Sequence, residues 1–148
     1  MGESVNTAGA ERPDSDASTD TASPDVGTTW LIRLTSAPNF SSRALQGIDT
    51  VLACGAFGQS VTVVIEGEAL ELLRENLGAA PGERNLYRQI ESLPLYDIDT
   101  LYVVTHGSDD GEPARDWAPP EIEDLAVLSI SRATLGNMIA KATHVLSF

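Results

Sequence analysis

Cysteine and lysine are almost absent from this sequence. Its 148 residues include one cysteine, Cys54, which cannot form a disulfide within the chain and so gives no indication of export. They also include one lysine, Lys141, and 22 acidic residues outnumber 9 basic ones, for a net charge of −13. Since nucleic-acid binding needs clustered Lys and Arg, the composition argues against direct binding of nucleic acid. The acidity fits either a protein hydrated for a salt-rich cytoplasm or an ordinary acidic protein of GC-rich coding bias.

Long apolar runs are missing as well. None approaches the roughly 18 residues that a membrane-spanning helix needs, and the N-terminus lacks the basic and apolar regions of a signal peptide. We therefore expect a cytoplasmic protein that does not insert into a membrane.

The first 29 residues contain almost nothing that a core could bury. They are largely Ser, Thr, Ala, Gly and Pro, with a set of acidic residues against the single Arg12. Such a segment cannot offset the entropy lost on ordering it, so we predict a disordered acidic tail over 1–29 and one domain over 30–148. The alternative is a docking arm that folds on a partner. The acidic residues of the tail are Glu3, Glu11, Asp14, Asp16, Asp20 and Asp25.

Strand and helix signals alternate from Trp30 onwards. This β-α-β order indicates a mainly parallel sheet with right-handed crossovers and helices on both faces. The expected fold class is α/β, a three-layer, flavodoxin-like sandwich around a mainly parallel five-stranded sheet. The predicted strands are Trp30–Thr35, Val61–Ile65, Thr100–Thr105, Leu125–Ile130 and His144–Phe148.

Apolar stripes locate the four predicted helices. The first begins near Ser42, with Ser41 as a candidate N-cap, and Ser131 can cap the last. Between the third and fourth strands, 106–124 is predicted to be a loop with one short helical turn. The stripe of the first helix is Leu45, Ile48, Leu52 and Gly55, with Val51 beside it. The second helix, Gly67–Leu77, carries Leu70, Leu73 and Leu77, the third carries Leu86, Ile90 and Leu93, and the last carries Leu135, Met138, Ile139 and Ala142.

The loop after the first strand is the first place to look for a site, because open parallel sheets bind ligands at the carboxyl ends of their strands. The segment Thr35–Ser42 lacks both the GxGxxG spacing and the Walker lysine, so it supports no dinucleotide or nucleoside triphosphate site. Its hydroxyl groups favour helix capping, with binding of a small anion as the alternative.

Cys54 falls in the second half of the first predicted helix, beside its apolar stripe. A reactive thiolate needs access and a helix N-terminus or a nearby cation, so this position favours a structural cysteine. The two histidines, His106 and His144, are far apart and do not form a metal-ligand pattern, although His106 at a strand end is a candidate general base. The acidic loop residues Asp109, Asp110, Glu112 and Asp116 lack calcium-loop spacing. The sequence therefore assigns no catalytic, cofactor-binding or metal-binding residue, and no cofactor.

Three segments resemble the TusC/DsrF branch of the DsrE/DsrF-like family. They are Leu45–Ala53, Val61–Gly67 and the phrase Leu93-Pro94-Leu95-Tyr96-Asp97-Ile98. The first strand with Ser36-Ala37-Pro38 after it, and the ending Ala142–Phe148, fit the same branch, so that the resemblance covers about 30–148.

The resemblance implies an α/β subunit of a hetero-oligomer with DsrE/TusD-like and DsrH/TusB-like partners. Such complexes pass persulfide sulfur toward 2-thiouridine in tRNA or serve intracellular sulfur oxidation. In the sulfur-carrying subunits a reactive cysteine follows the strand that corresponds to Thr100–Thr105, where this chain reads Thr105-His106-Gly107. The resemblance therefore implies a non-catalytic subunit. The alternatives are a persulfide carrier that uses Cys54 and a stand-alone DsrE-like domain that binds a small anion or a partner.

Overall fold

The computed structural model describes residues 29–38, 42–74, 81, 84–105 and 117–148. The predicted tail up to residue 28, His106 and the acidic loop residues from Asp109 to Asp116 lie outside these residues. Within the described part of the chain, no helix is long and apolar enough to span a membrane.

Five parallel strands form one open sheet in the order β4-β3-β2-β1-β5. This arrangement, with helices on both faces, confirms the predicted α/β fold. The β-branched run in β2 explains its central place, because its residues from Val63 to Ile65 are buried between two layers. The strands are β1 (Thr29–Leu34), β2 (Ser60–Glu66), β3 (Thr100–Val104), β4 (Ala126–Ile130) and β5 (His144–Ser147).

In the described parts of the connections, three α-helices and two 3₁₀ helices join the strands. The α-helices are α1 (Arg43–Ala56), α2 (Leu86–Glu91) and α3 (Arg132–Lys141). The 3₁₀ helices cover Gly67–Leu73 and Leu93–Tyr96.

The two faces of the sheet bury separate cores. The larger core joins alternate strand residues such as Ile32, Val63 and Leu101 to the inner sides of α1 and α2. The smaller core contains the intervening strand residues, Leu31, Val64 and Val104, with Leu135 of α3. The face with the larger core therefore packs against several elements, and the face with the smaller core packs against α3.

The inner side of α1 differs from the predicted stripe. Its buried residues are Ala44, Gly47, Ile48 and Val51, whereas the predicted Leu45 and Leu52 are half-buried. The rotation follows from Gly47, where a Cβ atom would lie 2.4 Å from Leu34 Cδ2. The absent side chain lets the helix lie closer to β1 than the apolar spacing alone predicts.

The second predicted helix, Gly67–Leu77, is wrong in type and length. It is a 3₁₀ helix that ends at Leu73, and Arg74 is already extended. Three residues per turn place Ala69 and Leu72 on one row, and both are fully buried. Leu73 is buried as well, whereas the predicted Leu70 is half-buried, so the buried side of this connection consists of Ala69, Leu72 and Leu73.

The third predicted helix is divided into two. The α-helical part, α2, ends at Glu91, and the 3₁₀ helix Leu93–Tyr96 follows with Pro94 in its first turn. A proline amide carries no hydrogen, so Pro94 cannot continue the hydrogen-bond ladder of an α-helix. In the following connection, the described residues 117–124 form no helical turn but an isolated bridge between Ile122 and Leu125.

Candidate functional site

The order in which the strands are connected identifies one place where the direction of the crossovers reverses. The chain moves from β1 through β2 and β3 to β4 in one direction, and then returns to place β5 on the other side of β1. In open parallel sheets the crevice at such a reversal, beside the carboxyl ends of the strands, is the usual ligand position. Here it lies between the ends of β1 and β5.

The polar groups at this reversal bond to one another. The Thr35 amide donates to the backbone oxygen of Phe148 at 2.7 Å, and the Ser36 amide does so at 3.2 Å. The Thr35 hydroxyl donates to the same oxygen at 2.7 Å. Three donors of the candidate anion site, the Thr35 and Ser36 amides and the Thr35 hydroxyl, thus already bind an oxygen of the chain itself.

The start of α1 adds no side-chain cap. Ser42 is the N-cap residue, with helical φ and ψ angles of −71° and −3°, and its hydroxyl makes no capping hydrogen bond. The alternative cap, Ser41, lies outside the described residues. Neither the Thr35 hydroxyl nor the Ser42 hydroxyl therefore caps the helix. Thr35 instead links the end of β1 to Phe148 by hydrogen bonds.

An ion pair lies next to this reversal, on the α3 side of the sheet. The Arg33 Nη2 atom contacts Glu66 Oε1, and both side chains are largely buried. Arg33 lies in register with Ser147, and its Nη1 atom approaches Ser147 Oγ at 3.5 Å. Arg33 Nε and Glu66 Oε2 are buried and have no hydrogen-bond partner. This pair is the largest concentration of charge inside the described part of the sheet.

The end of β3 is the position where the resemblance places the reactive cysteine of active members. The last described residue before that position is Thr105, which is buried and 7% exposed. The next residue, His106, lies outside the described residues, so its candidate role as a base stays a prediction. No thiol follows this strand in the sequence.

The single thiol lies elsewhere, on α1. Cys54 is half-buried and packs against the larger core. Burial raises the pKa of the Cys54 thiol above its ordinary value. Its position on the helix is distant in sequence from β3, and the larger core takes up part of its surface.

His144 has a packing role at the beginning of β5. Its ring lies 4.3 Å from the ring of Trp30, centroid to centroid, with an angle of 31° between the ring planes. Among the residues that the structure describes, no three His, Cys, Asp or Glu side chains come together as a metal site.

The sequence directed attention to the loop after the first strand, but it indicated neither the order of the strands nor the ion pair. Arg33 and Glu66 are each the single charged residue of an otherwise uncharged strand. This was the feature of the sequence from which the ion pair could have been suspected. The missing information was the register, which aligns Arg33 with Val64 and so places Glu66 two residues further along β2, on the same face of the sheet.

Comparison with known structures supports the fold assignment independently of the sequence patterns. The chain is similar to the crystal structure of the YchN protein from E. coli, with a TM-score of 0.66 and 15% sequence identity. The likeness covers 82% of this chain and 99% of YchN. The chain has the DsrE/DsrF-like fold. No protein-family model and no curated protein sequence matches the chain.

The DsrE/DsrF-like fold accounts for the architecture and does not by itself assign a role to any side chain, because 15% identity is too low to transfer residues. The branch of the fold, and the function, have to be argued from the residues of this chain.

Proposed function

We propose that this chain is a non-catalytic subunit of a sulfur-relay complex of the DsrEFH or TusBCD kind, in the TusC/DsrF position. Its partners would be one DsrE/TusD-like and one DsrH/TusB-like protein. The sulfur would pass through a cysteine of a partner toward tRNA thiolation or intracellular sulfur oxidation.

The observation that carries the proposal is a DsrE/DsrF-like fold without a thiol at the end of β3. Persulfide transfer requires an accessible thiolate as nucleophile. The buried residue at that strand end is Thr105, and its side chain cannot carry persulfide sulfur. A chain that keeps the fold but lacks the nucleophile fits a role in assembling or positioning a partner that has it.

Co-expression tests the assembly. The full chain would be produced together with DsrE-like and DsrH-like proteins of the same genome, and analysed by size-exclusion chromatography. We expect one complex that contains all three chains. If the two partners assemble fully while this chain elutes alone at low and high salt, the subunit proposal is wrong and the stand-alone domain is favoured.

A sulfur-transfer assay on the same complex separates the proposal from the carrier that uses Cys54. The complex is loaded with persulfide, and transfer to an acceptor is compared between the natural chain and Cys54→Ala. We expect equal transfer, because the pKa of the Cys54 thiol is raised by burial and little thiolate forms near neutral pH. Loss of transfer in Cys54→Ala, with the complex intact, would favour the carrier.

A further inference from the structure

Two large apolar side chains are almost fully exposed at the edge of the sheet where the strands begin. Leu95 is 84% exposed and Phe57 is 81% exposed. They lie on elements in contact, because a Cβ atom on Gly55 would be 2.8 Å from the Cβ atom of Tyr96. Exposed side chains of this size on neighbouring elements are typical of an interaction surface.

The turn that carries Leu95 is firmly anchored. Leu93 and Ile98, on either side of it, are 2% and 4% exposed. The Leu95 amide donates to the Ser92 oxygen at 3.0 Å, and the Ile98 amide donates to the Leu93 oxygen at 3.2 Å. Leu95 is therefore presented to solvent by a fixed backbone, which lowers the entropy lost when another molecule covers it.

A groove with a volume of about 290 Å³ lies beside Leu95. Its opposite wall is the turn from Ile122 to Leu125, which is closed by a hydrogen bond from the Leu125 amide to the Ile122 oxygen at 3.2 Å. Half of the lining is apolar and half consists of carboxylates. The lining residues are Pro94, Leu95, Ile122, Glu91, Glu123 and Asp124.

The surroundings of the groove are uniformly acidic. The segments 91–105 and 117–131 contain no Lys or Arg. Among the described residues, none of the carboxylates in these segments forms an ion pair, since the described pairs are Arg33–Glu66, Arg74–Glu71 and Arg84–Asp49. Those carboxylates belong to Glu91, Asp97, Asp99, Glu121, Glu123 and Asp124. The apolar residues of the groove thus lie among carboxylates that form no ion pair with a cation of the described residues.

We propose that this groove, the acidic groove, binds a partner protein through a segment in which Lys or Arg residues flank an aliphatic or aromatic side chain. The apolar side chain would pack between Pro94, Leu95 and Ile122, and the flanking cations would pair with the carboxylates at the rim. A second copy of the chain is disfavoured, because each copy carries a net charge of −13. The proposal goes beyond the sulfur relay and holds whether or not the chain belongs to such a complex.

A titration with a defined peptide tests the acidic groove. The full chain, ¹⁵N-labelled, is titrated with a synthetic helical peptide of Lys, Arg and Leu, and amide shifts are followed by NMR. We expect saturable shifts centred on Leu95 and Ile122. In a triple variant, Leu95→Ser, Glu123→Gln and Asp124→Asn, we expect affinity to fall about tenfold, because the apolar anchor and two rim charges are lost. Asn can adopt the left-handed conformation of residue 124, whose φ angle is 60°.

Matched controls distinguish the groove from general attraction to an acidic protein. The control variant, Leu128→Ser with Glu68→Gln and Glu71→Gln, also removes one exposed leucine and two carboxylates, none of which lines the groove. We expect its affinity to stay within about twofold of the natural chain, and a peptide with Ser in place of Leu to give no saturable shifts at the groove. Equal loss of affinity in both variants, or no saturation, would overturn the proposal. So would self-association of the natural chain in sedimentation velocity that Leu95→Ser abolishes, since the occupant would then be a second copy.

Discussion

Arg33 and Glu66 show how one residue pair can dominate the electrostatics of a sheet. Each ion loses hydration on burial, and only its partner compensates for that loss. In this chain the compensation is incomplete, because Arg33 Nε and Glu66 Oε2 have no partner. Removal of one partner is therefore expected to destabilise the folded protein strongly. Replacement of both partners by apolar residues is expected to change its stability much less.

The substitution Arg33→Met should destabilise the protein by about 2–3 kcal/mol, since Glu66 would remain buried without a counter-ion. The double variant Arg33→Met with Glu66→Leu should recover most of this loss, because no charge is left to desolvate. Urea unfolding of the single and double variants measures both values. A double variant as unstable as Arg33→Met would show that the pair contributes net stability.

Cys54→Ala is expected to lower the free energy of unfolding by about 1 kcal/mol, because loss of a half-buried side chain leaves a small packing defect.

Alkylation of native Cys54 by iodoacetamide should be slower near neutral pH than alkylation of an exposed thiol, because burial raises the thiol pKa. The same shift has a pH-dependent consequence for stability. It favours the folded state below the ordinary thiol pKa, and this contribution is lost as the pH rises above that value. Rapid alkylation at neutral pH would contradict the prediction.

At the scale of elements, the contact between α1 and β1 depends on one missing side chain. In Gly47→Ala the new Cβ atom would lie 2.4 Å from Leu34 Cδ2 and 3.0 Å from the Cβ atom of Phe148. Because Leu34 is fully buried and cannot move away freely, we expect a loss of about 1–3 kcal/mol.

Gly136→Ala is the matched control, since a Cβ atom on this α3 residue meets nothing within 4 Å. We expect a gain of about 0.5–1 kcal/mol there from helix propensity. Thermal unfolding of both variants checks the pair. Equal effects of the two substitutions would mean that α1 can move outward without loss.

The strands were predictable from the sequence because their signal is local. The run from Val61 to Ile65 is β-branched at all five positions, and the structure extends it by one residue at each end. The type and length of the short connections were less predictable. In Gly67–Leu73 the 3₁₀ winding follows from packing against the core, which overrides local propensity. At Leu93–Tyr96 the change of helix type follows from Pro94, which is a local signal in the sequence.

The sequence indicates where to look for a site, because parallel strands point to a crevice at their carboxyl ends and the loop after β1 is the first such end. It does not indicate the contacts found there. The Thr35 hydroxyl donates to an oxygen of Phe148. This hydrogen bond forms because β5, from the other end of the sequence, is the strand that pairs with β1. No local pattern contains that pairing, because the two residues are 113 positions apart.

At the scale of the whole molecule, charge and apolar content separate the predicted tail from the domain. Deletion of residues 1–28 should leave the melting temperature nearly unchanged, because this segment offers almost no apolar area. The deletion should stop before Thr29, whose backbone oxygen accepts a hydrogen bond from the Thr143 amide at 3.0 Å. Circular dichroism melts of the two chains give the comparison, and a fall of more than a few degrees would show that the segment docks on the domain.

The pairing of β1 with β5 also has a consequence for synthesis on the ribosome. Thr29 and Thr143 are 114 residues apart, so at roughly 5–20 residues per second the partner of β1 emerges about 5 to 25 seconds after β1 itself. During this interval β1 can pair with β2 while its other side exposes free amides and carbonyls, the template on which strands of other nascent chains can add. β5, which is translated after the other four strands of the sheet, therefore covers this side of β1 and itself becomes the short edge strand, and slow translation of the segment between β2 and β5 should lower the soluble yield.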